Sequence, residues 1–164
     1  MPVEVVRSRD PLPEPGHGPT VFLAGPTPNS AEVYSWRPAA IELISARWTA
    51  PRTLSVLSPE DTGFRYDKHF DAQVDWETDA RAQADVILFW IPRDVRTMPG
   101  YTTNVEFGLD VATVPERVVL GCPPDCPSPA QNRYLISVAK RRGVPVLSTL
   151  AETVTAALAL VTAR

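Results

Sequence analysis

Cysteine, histidine and excess basic charge are all scarce in this chain, and each shortage narrows the range of functions. Its two cysteines, Cys122 and Cys126, are too few to staple a secreted domain. They lie in a CPPDC segment stiffened by Pro123 and Pro124. A zinc site needs further ligands, and the only histidines, His17 and His69, are far away in sequence. The expectation is an ordinary loop with reduced thiols and no bound metal, with a metal or redox role as the alternative. Lys and Arg number 16 against 19 Asp and Glu, a formal net charge of −3. Gripping a nucleic acid polymer through its phosphates takes a basic stripe, so no such partner is expected. A single nucleoside or nucleotide needs only a local pocket. No apolar run reaches the roughly 18 residues of a membrane span, so no membrane partner is expected. The first residues carry Glu4, Asp10 and Glu14 and no apolar stretch like that of a secretory signal. The expected compartment is the cytoplasm.

Proline, by contrast, is abundant. Of 18 prolines, Pro2, Pro11, Pro13, Pro15 and Pro19 fall at the start, which predicts an extended leader over residues 1–19. The rest, 20–164, has the length of one domain, and the hydrophobic share of 44% can fill a core. A short apolar run at 20–24 stops at Gly25-Pro26 and reads as a buried strand followed by a turn. Helical spacing follows over 30–48, where Trp36, Ala40, Leu43, Ile44 and Trp48 share one face and Pro38 must sit in the first turn. Strands are predicted at 53–57, 85–91, 117–121 and 144–147, and helices at 70–83, 104–112, 128–142 and 150–163. The run DVILFWI is apolar on both faces, as a central parallel strand must be. Strands alternating with helices predict a single-domain α/β fold of the doubly wound, Rossmann- or flavodoxin-like kind. Its parallel sheet would have five strands, with helices on both faces.

In such sheets ligands bind beyond the carboxyl ends of the strands. The chemistry is therefore expected in three loops, at Gly25, Pro26 and Thr27, at 58–64, and at 92–104. Neither GxGxxG nor GxxxxGK[ST] occurs there. Glu106 follows Gly100, Tyr101, Thr102, Thr103 and Asn104 and is expected to open a helix, where the positive end of the dipole would keep its carboxylate ionised. A capping box beginning at Thr103 is the competing reading. Glu77 is the second candidate, a paired acid able to protonate a departing base, against the alternative of a solvated helix charge. Trp90 and Phe89 point to opposite faces of their strand, so at most one of them can line a pocket, and Tyr101 lies in the loop beyond. Asp85 starts the same strand at the far end and reads as structural.

The segments VFLAGP, Trp36-Arg37, QxxWE ending at Glu77, ADVILFWIPR and GYTTNVEFG together resemble the nucleoside 2-deoxyribosyltransferase-like family, from about Thr20 to Gly143. The resemblance implies cleavage or exchange of the N-glycosidic bond of a (deoxy)nucleoside or nucleotide through a glycosyl ester. Glu106 matches the nucleophile, Glu77 the acidic residue that handles the base, and Gly25 the glycine ending the first strand. A homo-oligomer is also implied, and the chemistry calls for no cofactor. The chain departs from the family at Val21 and Phe22, where transferases carry a tyrosine. It departs again at Gly100, where an Asp or a Ser meets the sugar 5′ substituent. Thr102, Thr103 and Asn104 are candidates to replace it. The alternatives are a nucleoside 5′-monophosphate N-glycosidase, a non-catalytic nucleotide-sensing domain, and a structural partner that docks through its leader.

Overall fold

The computed structural model describes residues 3–60 and 70–164. Most of the loop expected at 58–64 lies outside them, as does His69. Six strands, β1 (Val3–Arg7), β2 (Thr20–Ala24), β3 (Leu54–Ser58), β4 (Val86–Trp90), β5 (Val118–Gly121) and β6 (Val146–Leu147), form one parallel sheet in the order β1-β3-β2-β4-β5-β6. Five helices, α1 (Arg37–Arg47), α2 (Phe70–Gln83), α3 (Tyr101–Thr113), α4 (Arg133–Arg141) and α5 (Leu150–Thr162), cover its faces.

The sixth strand corrects the expectation of five and of a fold that begins at Thr20. The leader's Val3–Arg7 pairs in parallel with all of β3. Its prolines flank this stretch rather than interrupt it, so every N–H of the edge strand remains available. The leader continues along α2, where the Trp76 indole donates to the Asp10 carbonyl at 2.9 Å and Gln83 to the Pro13 carbonyl at 2.6 Å.

Alternation along the strands divides the core into two layers. Val86, Leu88 and Trp90 pack under α1 and α5 with Ala40, Ile44, Val154 and Leu158. Ile87 and Phe89 pack under α2, α3 and α4, with the Phe89 and Phe107 rings edge to face at 5.2 Å. Pro38 occupies the first turn of α1, where a missing N–H costs nothing. Asp85 locks the amino ends of β2 and β4 together, accepting from the Thr20 N–H at 2.8 Å and from the Thr20 hydroxyl at 3.1 Å.

The chain leaves β2 toward β3 on one side and leaves β4 toward β5 on the other. The switch point is therefore the crevice between β2 and β4, at whose carboxyl edge this architecture binds ligands.

Candidate active site

Two helices, neighbours on one face of the sheet, deliver four ionisable side chains to this edge. Glu77 and Arg81 lie one turn apart on α2, and Glu106 and Asp110 one turn apart on α3. The carboxyls of Glu77 and Glu106 come within hydrogen-bonding reach of each other. Arg81 Nη1 stands 3.5 Å from Glu106 Oε1, and Arg81 Nε 3.0 Å from Asp110 Oδ2. Gln73, one turn before Glu77, donates through its amide to the Glu77 carboxylate and to the Pro59 carbonyl. The QxxWE segment thus divides its work: Trp76 anchors the leader while Gln73 steadies Glu77.

Burial and the neighbouring Glu77 raise the Glu106 pKa to about 8, and Arg81 opposes them. This overturns the expectation that Glu106 opens a helix and is held ionised there. The helix begins at Tyr101, three residues earlier than predicted, because Gly100 adopts a left-handed conformation at φ +68°. Glu106 therefore sits in the second turn, beyond the free N–H groups of the helix start, and no capping box forms from Thr103. Two carboxyls in contact do not both ionise readily, so near neutral pH Glu106 keeps its proton beside Glu77.

The floor of the crevice is built by Arg37, whose guanidinium is almost wholly buried. It donates to the Leu23 carbonyl at 3.1 Å, the Gly25 carbonyl at 2.7 Å, the Thr27 hydroxyl at 3.1 Å and Glu60 Oε1 at 2.8 Å. Trp36 beside it donates to the Pro26 carbonyl at 3.1 Å. Together they hold the turn Gly25, Pro26 and Thr27 in place. Gly25 has φ +146°, and a Cβ there would stand 2.2 Å from the Trp90 carbonyl, so no other residue fits. A Cβ on Gly100 would in turn lie 3.3 Å from that of Pro26, which shows how closely the turn meets the start of α3.

The other sequence candidates disperse. Thr103 is buried against Gly100. Asn104 accepts from Arg93 Nη2 at 2.7 Å, while Arg93 Nε donates to Asn132 at 2.6 Å. Thr102 is exposed, and Tyr101 is 76% exposed. Trp90 packs in the layer under α1 and α5, on the face away from α2 and α3, where its ring covers Gly121. Cys122 and Cys126 are free and buried, and burial pushes the Cys122 thiol up to about 12. Among the described residues no cluster of three His, Cys, Asp or Glu could hold a metal, and no helix is long and apolar enough to cross a membrane.

Reading the sequence missed Arg37, Arg81 and Asp110 as site residues. For two of them a signal existed. Arg81 and Asp110 each follow a candidate carboxylate by four residues, which places them on the same helix face. Arg37 offered only its place beside Trp36.

The profile of a family described as "Nucleoside 2-deoxyribosyltransferase like" matches residues 18–126, which hold both carboxylates and the Gly25 turn. No curated protein matches the chain.

Proposed function

Because this chain belongs to the nucleoside 2-deoxyribosyltransferase-like family, we propose that it cleaves or exchanges the N-glycosidic bond of a (deoxy)nucleoside or nucleotide. Glu106 is the nucleophile and Glu77 the acid that serves the base. The observation that carries this reading is the meeting of these two carboxyls at the crevice edge, with Arg81 3.5 Å from Glu106.

Glu106 passes its proton across the contact to Glu77, which delivers it to a ring nitrogen of the departing base. As the C1′–N bond breaks, the Glu106 carboxylate closes on C1′ and forms an ester. In the second half an acceptor base or a water attacks C1′ and gives a proton to Glu77, and Glu106 leaves as a carboxylate. Retaining glycosidases that act across a sugar ring hold their carboxyls about 5 Å apart. Carboxyls in contact suit an acid that works beside the nucleophile, on the base. An acceptor base gives transfer and an admitted water gives hydrolysis. No step requires a cofactor. The turn Gly25–Pro26–Thr27 and the start of α3 are the surfaces available to the rest of the ligand.

The test is incubation with a panel of nucleosides and their 5′-monophosphates, with and without a free acceptor base, read by chromatography. Base release is expected from the native chain. Glu106→Gln should lower it by about three orders of magnitude or more. Near-native release by that variant sinks the mechanism. Since the Glu106 proton is required, kcat/KM should decline above about pH 8, where Glu106 titrates. No turnover of any substrate by the native chain would favour the nucleotide-sensing alternative.

A homo-oligomer is part of the proposal. Tyr101, Val105 and Leu109 form an outward stripe along α3, exposed by 76, 64 and 56%, and a second copy would cover it. Sedimentation should give a mass above that of one chain, falling to one chain in the double variant Val105→Glu with Leu109→Glu. A monomeric native chain would refute this part alone.

A further inference from the structure

Burial and Glu77 keep the proton on Glu106, yet attack at C1′ requires Glu106 to give that proton up and become a carboxylate. We propose that Arg81, held from behind by Asp110, is the positioning residue that stabilises the carboxylate of Glu106 once its proton has passed to Glu77; this rests on the reading of Glu106 as nucleophile.

The asymmetry is geometric. Arg81 reaches Glu106 across the gap between helices at 3.5 Å. Among the described residues no ion pair joins it to Glu77, although Glu77 lies one turn away on its own helix. Among the described residues the donor to Glu77 is the neutral amide of Gln73. Glu106 thus faces a cation where Glu77 faces an amide. The side chains of Arg81, Glu106 and Asp110 are 10, 16 and 11% exposed, so water screens this contact far less than it would a surface pair.

Among the described residues the charged groups acting on Glu106 are Glu77 and Arg81 from α2 and Arg37 from α1; Asp110 lies one turn along α3, and Arg117 acts on Asp110 from beyond the helix. Arg37 cannot follow a change of charge on Glu106, because its donors are committed to Leu23, Gly25, Thr27 and Glu60. Arg81 is held differently. Its Nε and Asp110 Oδ2 lie 3.0 Å apart, yet neither atom has an aligned hydrogen bond. A buried guanidinium whose Nε has no aligned bond can lean toward Glu106 as that group gives up its proton. Asp110 keeps Arg81 from leaving the site and tempers its field.

The test needs no substrate. Protein labelled with ¹³C at the Glu side-chain carboxyls is titrated by NMR, with Glu106→Gln assigning the signal. In the native chain Glu106 should titrate near 8. Arg81→Gln should raise that midpoint by about one pH unit or more, and Arg81→Lys should bring it back to within about half a unit. Asp110→Asn keeps an acceptor for Arg81 but removes a negative charge, so it should move the midpoint down. Opposite shifts from Arg81→Gln and Asp110→Asn are the signature, since loosened packing moves both the same way. An unchanged midpoint in Arg81→Gln, no recovery with lysine, or shifts of one sign would overturn the proposal. If Arg81→Gln does not fold, the lysine and Asp110→Asn variants decide it. Failure of the nucleoside panel leaves this result untouched, and the reverse also holds.

Discussion

Two buried ion pairs stand at the same edge of the sheet and are built on opposite principles. Arg37 and Glu60 meet at 2.8 Å, and the remaining donors of the guanidinium are aligned on carbonyls and a hydroxyl of the β2 turn. Arg81 meets Glu106 at 3.5 Å and Asp110 at 3.0 Å, with Arg81 Nε and Asp110 Oδ2 lacking an aligned hydrogen bond and with the carboxyls of Glu77 and Glu106 in contact beside them. A satisfied buried pair is scaffold: its desolvation is offset by directional bonds, and it holds one geometry. An unsatisfied one keeps protonation states close in energy, which chemistry needs and stability does not. At this one edge, the quality of hydrogen bonding separates a pair that holds one geometry from a pair whose protonation can change.

Removing the scaffold arginine should break this contrast most severely. Arg37→Met removes the donors to two buried carbonyls and leaves Glu60 with the Ser35 hydroxyl but no cation. Stability should fall by about 3–5 kcal/mol, measured by urea unfolding. A loss under about 1 kcal/mol would show that the pair is not the scaffold. Ile44→Ala calibrates that loss against ordinary packing. Ile44 is wholly buried in the layer under α1 and α5, so the expected cost is about 2–4 kcal/mol. Turnover per folded molecule should be unchanged, and a specific loss of activity would tie that layer to the site.

The smallest effect sharpens the comparison from the other side. Glu106 titrates near 8 in the folded chain, above its ordinary value of 4.5, so the native state holds a proton that the unfolded state releases. Stability should therefore fall as pH rises between those values and level off above about 8. The drop in Tm between pH 5 and pH 8 should be on the order of a few degrees. Asp110 is also raised, by burial, and adds to the slope at its lower end. Glu106→Gln should flatten the slope and match or exceed the native Tm at pH 8. An equal slope in both proteins would mean that Glu106 does not carry the proton.

Much of the fold was legible because burial writes a period into the chain. The central strand was found from its unbroken apolar run, and α2 was placed at 70–83, where it occurs. The leader strand was not, because five half-buried residues among prolines carry no period that separates an edge strand from an extended tail. The start of α3 was misplaced because the positive φ of Gly100 is a backbone property that composition does not display.

The amino-acid order by itself determined the class of fold and two acidic residues on helices that converge. It did so through local rules of alternation, helical spacing and turn chemistry, which act over a few residues. Only the tertiary structure decided that Glu77 and Glu106 touch, that Arg81 reaches across to Glu106, that Trp90 belongs to the other layer, and that burial lifts Glu106 toward neutrality. Those are contacts between residues far apart in sequence, and their energies depend on the distances and the exclusion of water that packing creates.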